Sequence, residues 1–364
     1  MEKSTKNSEG ARSRRSFLKN TVVAGAAATV GAGLLSNGLG TLAHAATGKA
    51  ALSAGDAAIL RFLAAAELIE SDLWQQYAEL GGVTSGAQNA YQLALQALDG
   101  DGSQYITSNT LDEMSHAAFI NAYLRSKGSA AVNLDKFRTL PSSKATGAKQ
   151  IGRLTNLTQL TVDTSWYTRY RSKTNPDFGA TFPQAITIKD KTAIPVTNAD
   201  FGPGDHIQAI ADTAAFHFGS IEQGGSSLYS AMTQKANNVE VLRIVVSIGG
   251  DEVAHFLEWV DFAGNAGSSP LAPLTDPVTG LHIPDLNASG SPLTQTNLIF
   301  PIPCEFISAS LPHCAVIRPT DPDGIAAGAV QFLTDSGLFI GQSNEFFDDL
   351  NSLATAADAA QRGF

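Results

Sequence analysis

The sequence predicts an all-α fold: a four-helix bundle of two antiparallel helical hairpins, with a long insertion between helices 2 and 3 and a loop-rich C-terminal extension. Three observations predict it. Four long stretches carry apolar residues at three- and four-residue steps, the stripe of an amphipathic helix. The connections inside each pair of stretches are short, which favours antiparallel neighbours. One five-residue pattern recurs in the second and fourth stretches, Asp112-Glu113-Met114-Ser115-His116 and Asp251-Glu252-Val253-Ala254-His255. Residues three apart share a helix face, so each copy projects a carboxylate beside an imidazole, which is half a metal site.

The N-terminal segment is set aside before the fold is built. Ser13-Arg14-Arg15-Ser16-Phe17-Leu18-Lys19 runs into a mild apolar stretch, Thr21 to Ser36, and on to the small-residue end Ala43-His44-Ala45. The paired arginines and weak apolar region resemble a twin-arginine export signal, which assigns residues 1–45 to a signal peptide. A membrane anchor fits less well, because the stretch is shorter than the roughly 20 apolar residues of a span and is broken by Gly25, Gly31 and Gly33. The resemblance implies the translocation machinery as a partner, a periplasmic or otherwise exported location, and passage in a folded state with any metal already loaded. No stable anchor is expected after cleavage.

Helix 1 is expected over about Asp56 to Leu80, with Leu60, Leu63, Glu67, Glu70, Trp74 and Tyr77 on its stripe and Gly81-Gly82 ending it. A shorter piece, about Ala87 to Leu98, leads through Asp99-Gly100-Asp101-Gly102 to helix 2, about Ser103 to Lys127, whose stripe is Ile106, Asn109, Glu113, His116, Ile120 and Tyr123. The periodicity then fades over the insertion, 128–204, where a helix near Gly152 to Tyr170 and an extended stretch near Thr181 to Val196 are expected. Its cluster Trp166, Tyr167, Arg169, Tyr170 and Arg171 is expected to pack the insertion onto the bundle, or else to cover a pocket. Asp205 reads as the N-cap of helix 3, about His206 to Thr233, with Phe218, Glu222, Gly225 and Tyr229 on one stripe. Helix 4 is expected from Asn237-Asn238 to about Phe262, with Leu242, Val245, Gly249, Glu252, Phe256 and Trp259 on its stripe and His255 beside them. These assignments place the bundle at 46–263 and the extension at 264–364, packed on the bundle, with helices near Ile325 to Gly337 and Asn344 to Ala359.

Composition bounds the function. Hydrophobic residues make up 43% and charged residues 16% of the 364, which describes a folded chain with a sizeable core. Removing residues 1–45 takes away Lys3, Lys6, Arg12, Arg14, Arg15 and Lys19 with Glu2 and Glu9, so 24 basic and 34 acidic residues become 18 and 32. So acidic a protein is a poor partner for nucleic acid. Cys304 and Cys314 are too few for a structural zinc set, but in an oxidising compartment they could close a disulfide. His282 and His313 read as solvated loop residues, and His217 as a core or rim histidine.

With seven His in the chain, a His three positions after a given Glu arises by chance about once in fifty. Two such pairs on two inward stripes point to a purpose. A carboxylate at the centre of an apolar stripe is costly unless paired or coordinated, and four together repel. Two divalent cations offset four carboxylates in charge.

In this order the residues resemble the ferritin-like superfamily of di-iron or di-manganese carboxylate proteins: Glu67, then Glu113 with His116, then Glu222, then Glu252 with His255. The resemblance covers about 56–127 and 205–263. It implies two metal ions, iron foremost and manganese as the alternative. Glu113 and Glu252 would bridge them, His116 and His255 would bind one each, and Glu67 and Glu222 would be terminal ligands. Glu67 is preferred to Glu70 because Trp74 follows it by seven residues, as Tyr229 follows Glu222, although Glu70 with Tyr77 has the same spacing. Asp112 and Asp251 resemble the carboxylates that hold a metal-binding imidazole by its other N–H. The activity implied is that of an exported oxidoreductase reacting with dioxygen or peroxide, with these six residues as its catalytic set. Peroxide dismutation like that of a manganese catalase and a non-catalytic, metal-binding stress-protection protein are the alternatives. Two cysteines cannot build a rubredoxin iron site, and the insertion and extension would obstruct a storage shell.

Overall fold

The computed structural model describes residues 51–83, 89–169, 183–202, 204–289, 307–314 and 321–363. The proposed signal peptide, Tyr170, Arg171 and Cys304 lie outside them, so the export signal and the disulfide are expectations only. The described residues are mostly helical. Four long helices dominate, α1 (Ala54–Gly81), α3 (Gly102–Ser126), α5 (Gly204–Lys235) and α6 (Val239–Ala266), with a short α2 (Ala90–Leu98) between the first two. No helix among the described residues is long and apolar enough to cross a membrane.

Local chemistry sets the ends of these helices. Ser53 caps α1 by accepting the Asp56 N–H (3.0 Å), and Asp56 Oδ1 in turn accepts the N–H of Asn237 (2.9 Å). The start of α1 is thereby tied to the tight turn between α5 and α6. Asn238 caps α6 through the N–H of Glu240 (2.8 Å). At the other end α1 stops at Gly81, and Val83 N–H donates to Thr107 Oγ1 (2.8 Å) in the second turn of α3. The end of α1 thus lies beside the start of α3, and the two run antiparallel. Asp205 differs from its expected role: α5 begins at Gly204, so Asp205 sits inside the first turn, where its charge favours the helix dipole without capping.

The insertion departs furthest from expectation. Only α4 (Trp166–Arg169) is helical in the stretch read as a helix over 152–170, and Leu160–Val162 is a strand, β1, paired antiparallel with β2 (Ile188–Lys191). Distant acceptors take the amides a helix would have used. Buried Asp72 of α1 accepts the N–H groups of Leu154 (2.9 Å) and Thr155 (3.0 Å), and the hydroxyl of Thr155 (2.8 Å). Asn156 N–H goes to Leu338 O (2.7 Å) and Thr161 N–H to Ser336 O (2.9 Å). Arg138 pairs with Asp72 (2.6 Å) and Arg153 with Glu79, which staple the insertion to α1. Trp166 and Tyr167 are buried against Phe216, and Trp166 also against Phe256, so these two aromatics pack the insertion onto α5 and α6.

The C-terminal extension contributes a two-stranded hairpin, β3 (Leu274–Thr275) with β4 (His282–Ile283), and the helices α7 (Ile325–Asp335) and α8 (Asn344–Asp358). It packs α8 on α1 and α7 on α5. His206 at the start of α5 is gripped by Asp276 (2.9 Å), and Lys235 at its end donates to Asp358 O (2.7 Å).

One buried carboxylate stands apart from the site. Asp212 of α5 is fully buried, Gln208 donates to its Oδ1 (2.9 Å), and its Oδ2 has no hydrogen bond. Burial raises its pKa from 3.8 to about 8, against the lowering effect of Gln208. A carboxylate raised in the folded state costs nothing below its unfolded pKa, and the cost grows as pH rises through the folded value. Asp212→Asn is therefore expected to leave the melting temperature at pH 4 nearly unchanged and to raise it at pH 9 by several degrees, on the order of 3 kcal/mol. Thermal melts of both proteins across pH 4–9 check this.

Candidate metal centre

Each long helix delivers one of the expected carboxylates to the same buried place. Glu67, Glu113, Glu222 and Glu252 are at most 1% exposed, and His116 and His255 are 8% and 5% exposed. Nothing but helical phase is needed for this, because Glu and His three apart on α3 and on α6 both point inward.

The donor atoms form two overlapping sets. Glu67, Glu113, His116 and Glu252 each offer an atom within 4.8 Å of the others, and so do Glu113, Glu222, Glu252 and His255. Glu113 and Glu252 belong to both. The imidazoles face inward through Nδ1: that of His116 is 3.3 Å from Glu113, 3.4 Å from Glu67 and 3.7 Å from Glu252, and that of His255 is 3.1 Å from Glu113 and 3.4 Å from Glu222. The ring centroids are 6.4 Å apart.

The outer nitrogens reveal a crossed arrangement. His116 Nε2 meets Asp251 Oδ2 at 3.2 Å, and His255 Nε2 meets Asp112 Oδ2 at 3.4 Å. Each Asp thus lies nearest the imidazole of the other motif copy, and Asp251 is also 3.8 Å from His255 Nε2 of its own. With a metal ion bound, that pairing would keep Nε2 as the protonated nitrogen and leave the Nδ1 lone pair for the interior. Asp112→Asn and Asp251→Asn are each expected to weaken divalent-metal binding about 10- to 100-fold, mainly at the His255 side for Asp112→Asn and mainly at the His116 side for Asp251→Asn. Calorimetric titration of both variants with Mn(II) reads this.

The electrostatics favour cations. Five carboxylate oxygens of the cluster have no hydrogen bond: Glu67 Oε2 and both oxygens of Glu222 and of Glu252. Unsatisfied buried oxygens of this kind carry a large desolvation cost that a coordinated ion removes. Burial raises Glu113 to about 7 despite the lowering hydrogen bonds from His116 and His255. Burial also raises Glu252, and the charges of Glu113, Glu70, Glu222 and Glu67 add to it. Burial opposes the charged form of His116, but its hydrogen bond to Glu113 and the adjacent charge of Glu67 outweigh it and hold the imidazole at about 10. The donor set, all oxygen and imidazole nitrogen, suits iron and manganese and tolerates zinc.

Several residues named from the sequence have partners that the sequence did not reveal. Asn109, one turn before Glu113, donates to Glu113 Oε1 (2.7 Å) and accepts the Trp259 indole N–H (2.6 Å), so it locks the bridging carboxylate to the aromatic core. Trp74 stacks on Trp259, with centroids 5.3 Å apart. Tyr229 of α5 hydrogen-bonds Glu67 of α1, across the two hairpins. Its place one helical turn from Gly225 on an inward stripe was visible, but its partner was not. Glu70 lies one turn past Glu67, half-buried, outside both donor sets. His217 is a core residue whose Nδ1 pairs with Tyr77 Oη (2.7 Å), and burial lowers it to about 3, so it stays neutral.

Compared with protein-family models, with curated proteins and with solved structures, the chain matches none. The case for function therefore rests on the cluster itself.

Proposed function

We propose that this chain is an exported dimetal-carboxylate oxidoreductase built on a ferritin-like four-helix bundle, reacting with dioxygen or peroxide. The observation that carries the reading is the pair of overlapping donor sets that share Glu113 and Glu252, each with one inward Nδ1. Two ions held this way would have His116 with Glu67 on one side, His255 with Glu222 on the other, and the shared carboxylates between them. Bound iron or manganese would supply paired one-electron redox chemistry able to take up an oxidant that accepts two electrons.

The chain's own residues supply the rest. Asp112 and Asp251 orient the imidazoles, Asn109 orients Glu113, and Tyr229 holds Glu67. Trp74, Phe218 and Trp259 pack as one buried aromatic group, tied to the cluster by the Trp259 hydrogen bond to Asn109. The twin-arginine resemblance supports folding and metal loading before export.

The test is expression with iron, metal analysis, and stopped-flow mixing of the reduced protein with oxygen or hydrogen peroxide. Two ions per chain and oxidant consumption faster than that of free Fe(II) are expected. Metal well below one ion per chain, or consumption unchanged by His255→Ala, would overturn the reading. Manganese-loaded protein that disproportionates peroxide while iron-loaded protein is inert would instead favour the catalase-like alternative.

A further inference from the structure

A pocket with about 30 Å³ of free space lies between α1, α5, α7 and α8. Phe62 and Ile69 of α1, Leu228 of α5, Val330 of α7 and Leu350 of α8 line it, none of them more than 5% exposed, and Glu70 is its one charged lining residue. A single water needs roughly 10–15 Å³, and a cavity that takes a benzene ring measures on the order of 150 Å³. The space therefore suits a diatomic molecule and excludes a ring. Water is a poor occupant, because it needs about two to four polar partners and the side chains here offer one carboxyl group.

Two of the lining residues adjoin the carboxylate cluster. Gly225 of α5 is one, and Glu252 Oε2 takes the place that a Cβ there would occupy, so a carboxylate common to both donor sets lies directly against the pocket wall. Glu70 is the other, one helical turn past Glu67 on α1. Burial raises its carboxyl, and the charges of Glu113, Glu67 and Glu222 raise it further. Part of the wall comes from the C-terminal extension, for which the sequence suggested no chemistry.

We infer that this pocket gathers dioxygen beside the carboxylate cluster, which makes dioxygen, and not peroxide, the oxidant that arrives from this side. Dioxygen makes no hydrogen-bonding demand, so its move from water to an apolar wall is favourable. Hydrogen peroxide carries O–H donors and acceptor oxygens that one carboxyl group cannot satisfy, and burying them unpaired is costly. The inference rests on the proposed metal centre for what becomes of the gas, but its binding needs no metal.

The experiment uses the metal-free full chain, with dioxygen and xenon under pressure as probes. Paramagnetic relaxation by dioxygen at the methyl groups of Ile69, Leu228 and Val330 is expected to exceed that at Leu154 and Leu160, which are as deeply buried but do not line the pocket, by about threefold or more. The xenon resonance should shift with pressure in a saturable way. Ala329→Val, which adds two methyl groups to the wall, should weaken xenon binding about fivefold or more. Relaxation at the pocket methyls no greater than at Leu154 and Leu160, a xenon shift strictly proportional to pressure, or xenon affinity unchanged in folded Ala329→Val would overturn the inference. The relaxation measurement needs no variant. Titration of the same preparation with Mn(II) separates the two readings: two ions bound without gas enrichment removes the pocket assignment alone, and enrichment without metal binding removes the metal centre alone.

Discussion

Adding Mn(II) or anaerobic Fe(II) to the metal-free protein is expected to raise its melting temperature by about 10 °C, and Glu113→Ala is expected to abolish the rise. Saturation at a hundred times Kd contributes about 2.7 kcal/mol per site, and two sites about 5 kcal/mol, which for a domain of this size is roughly that shift. Glu113 has the largest effect because it stands in both donor sets. His255→Ala removes a donor from only one of the two sets that contain Glu113 and should retain a partial rise. The metal-free proteins should rank the other way. Removing Glu113 removes the cost of burying its charge, which outweighs its hydrogen bonds with His116 and His255 and raises it to about 7, so above pH 7 metal-free Glu113→Ala is expected to melt no lower than metal-free wild type. A residue needed only for packing would lower both forms, and melts with and without metal distinguish the two cases.

The same groups set the pH dependence of the metal-free protein. Glu113 is raised to about 7, so its contribution is complete below its ordinary value near 4.5 and is lost as pH rises through 7. His116 is raised to about 10, so its contribution is complete below 6.5 and is lost as pH rises through 10. Both signs agree. Metal-free protein is expected to lose stability steadily from pH 5 to pH 10, while the metal-loaded protein, whose donors are already deprotonated, should not follow that slope. Differential scanning calorimetry over this range checks it.

Much of this was legible because helical phase is a local property. Once Glu67, Glu113, His116, Glu222, Glu252 and His255 were placed on inward stripes, the ordinary rise and twist of four helices were enough to gather them. The crossed pairing was not legible. Asp112 and Asp251 each begin one motif copy and lie nearest the imidazole of the other, and these partners depend on how α3 faces α6. The insertion failed for a related reason: the stretch 152–170 had some helical periodicity, but its amides are taken by Asp72, Leu338 and Ser336, all remote in sequence. Asp72 of α1 is fully buried. Its burial makes sense only with the insertion folded over it.

Gly225→Ala is expected to disrupt the centre more than any other single-methyl change in it. Glycine in a helix interior is ordinarily worse than alanine by about 1 kcal/mol, so on propensity alone the substitution should stabilise α5. The contact reverses that sign. The new methyl would lie 2.0 Å from Glu252 Oε2 and 3.0 Å from its Cδ, and the neighbouring backbone of α5 and α6 is too closely packed to part easily. Gly249 sets that close approach from the other helix, since a Cβ there would be 2.8 Å from Tyr229 Cβ. Glu252 must therefore swing away, and it is a member of both donor sets. The expected result is a loss of metal affinity of at least a hundredfold at both sites, with a metal-free fold destabilised by only about 1–3 kcal/mol. Metal titration and thermal melts of the variant measure the two effects separately. If Gly225 served only helix packing, the melt would shift and the affinity of the remaining folded protein would not. Gly250 provides the control: a Cβ there meets nothing within 4 Å, so Gly250→Ala should leave metal binding unchanged and raise the melting temperature slightly.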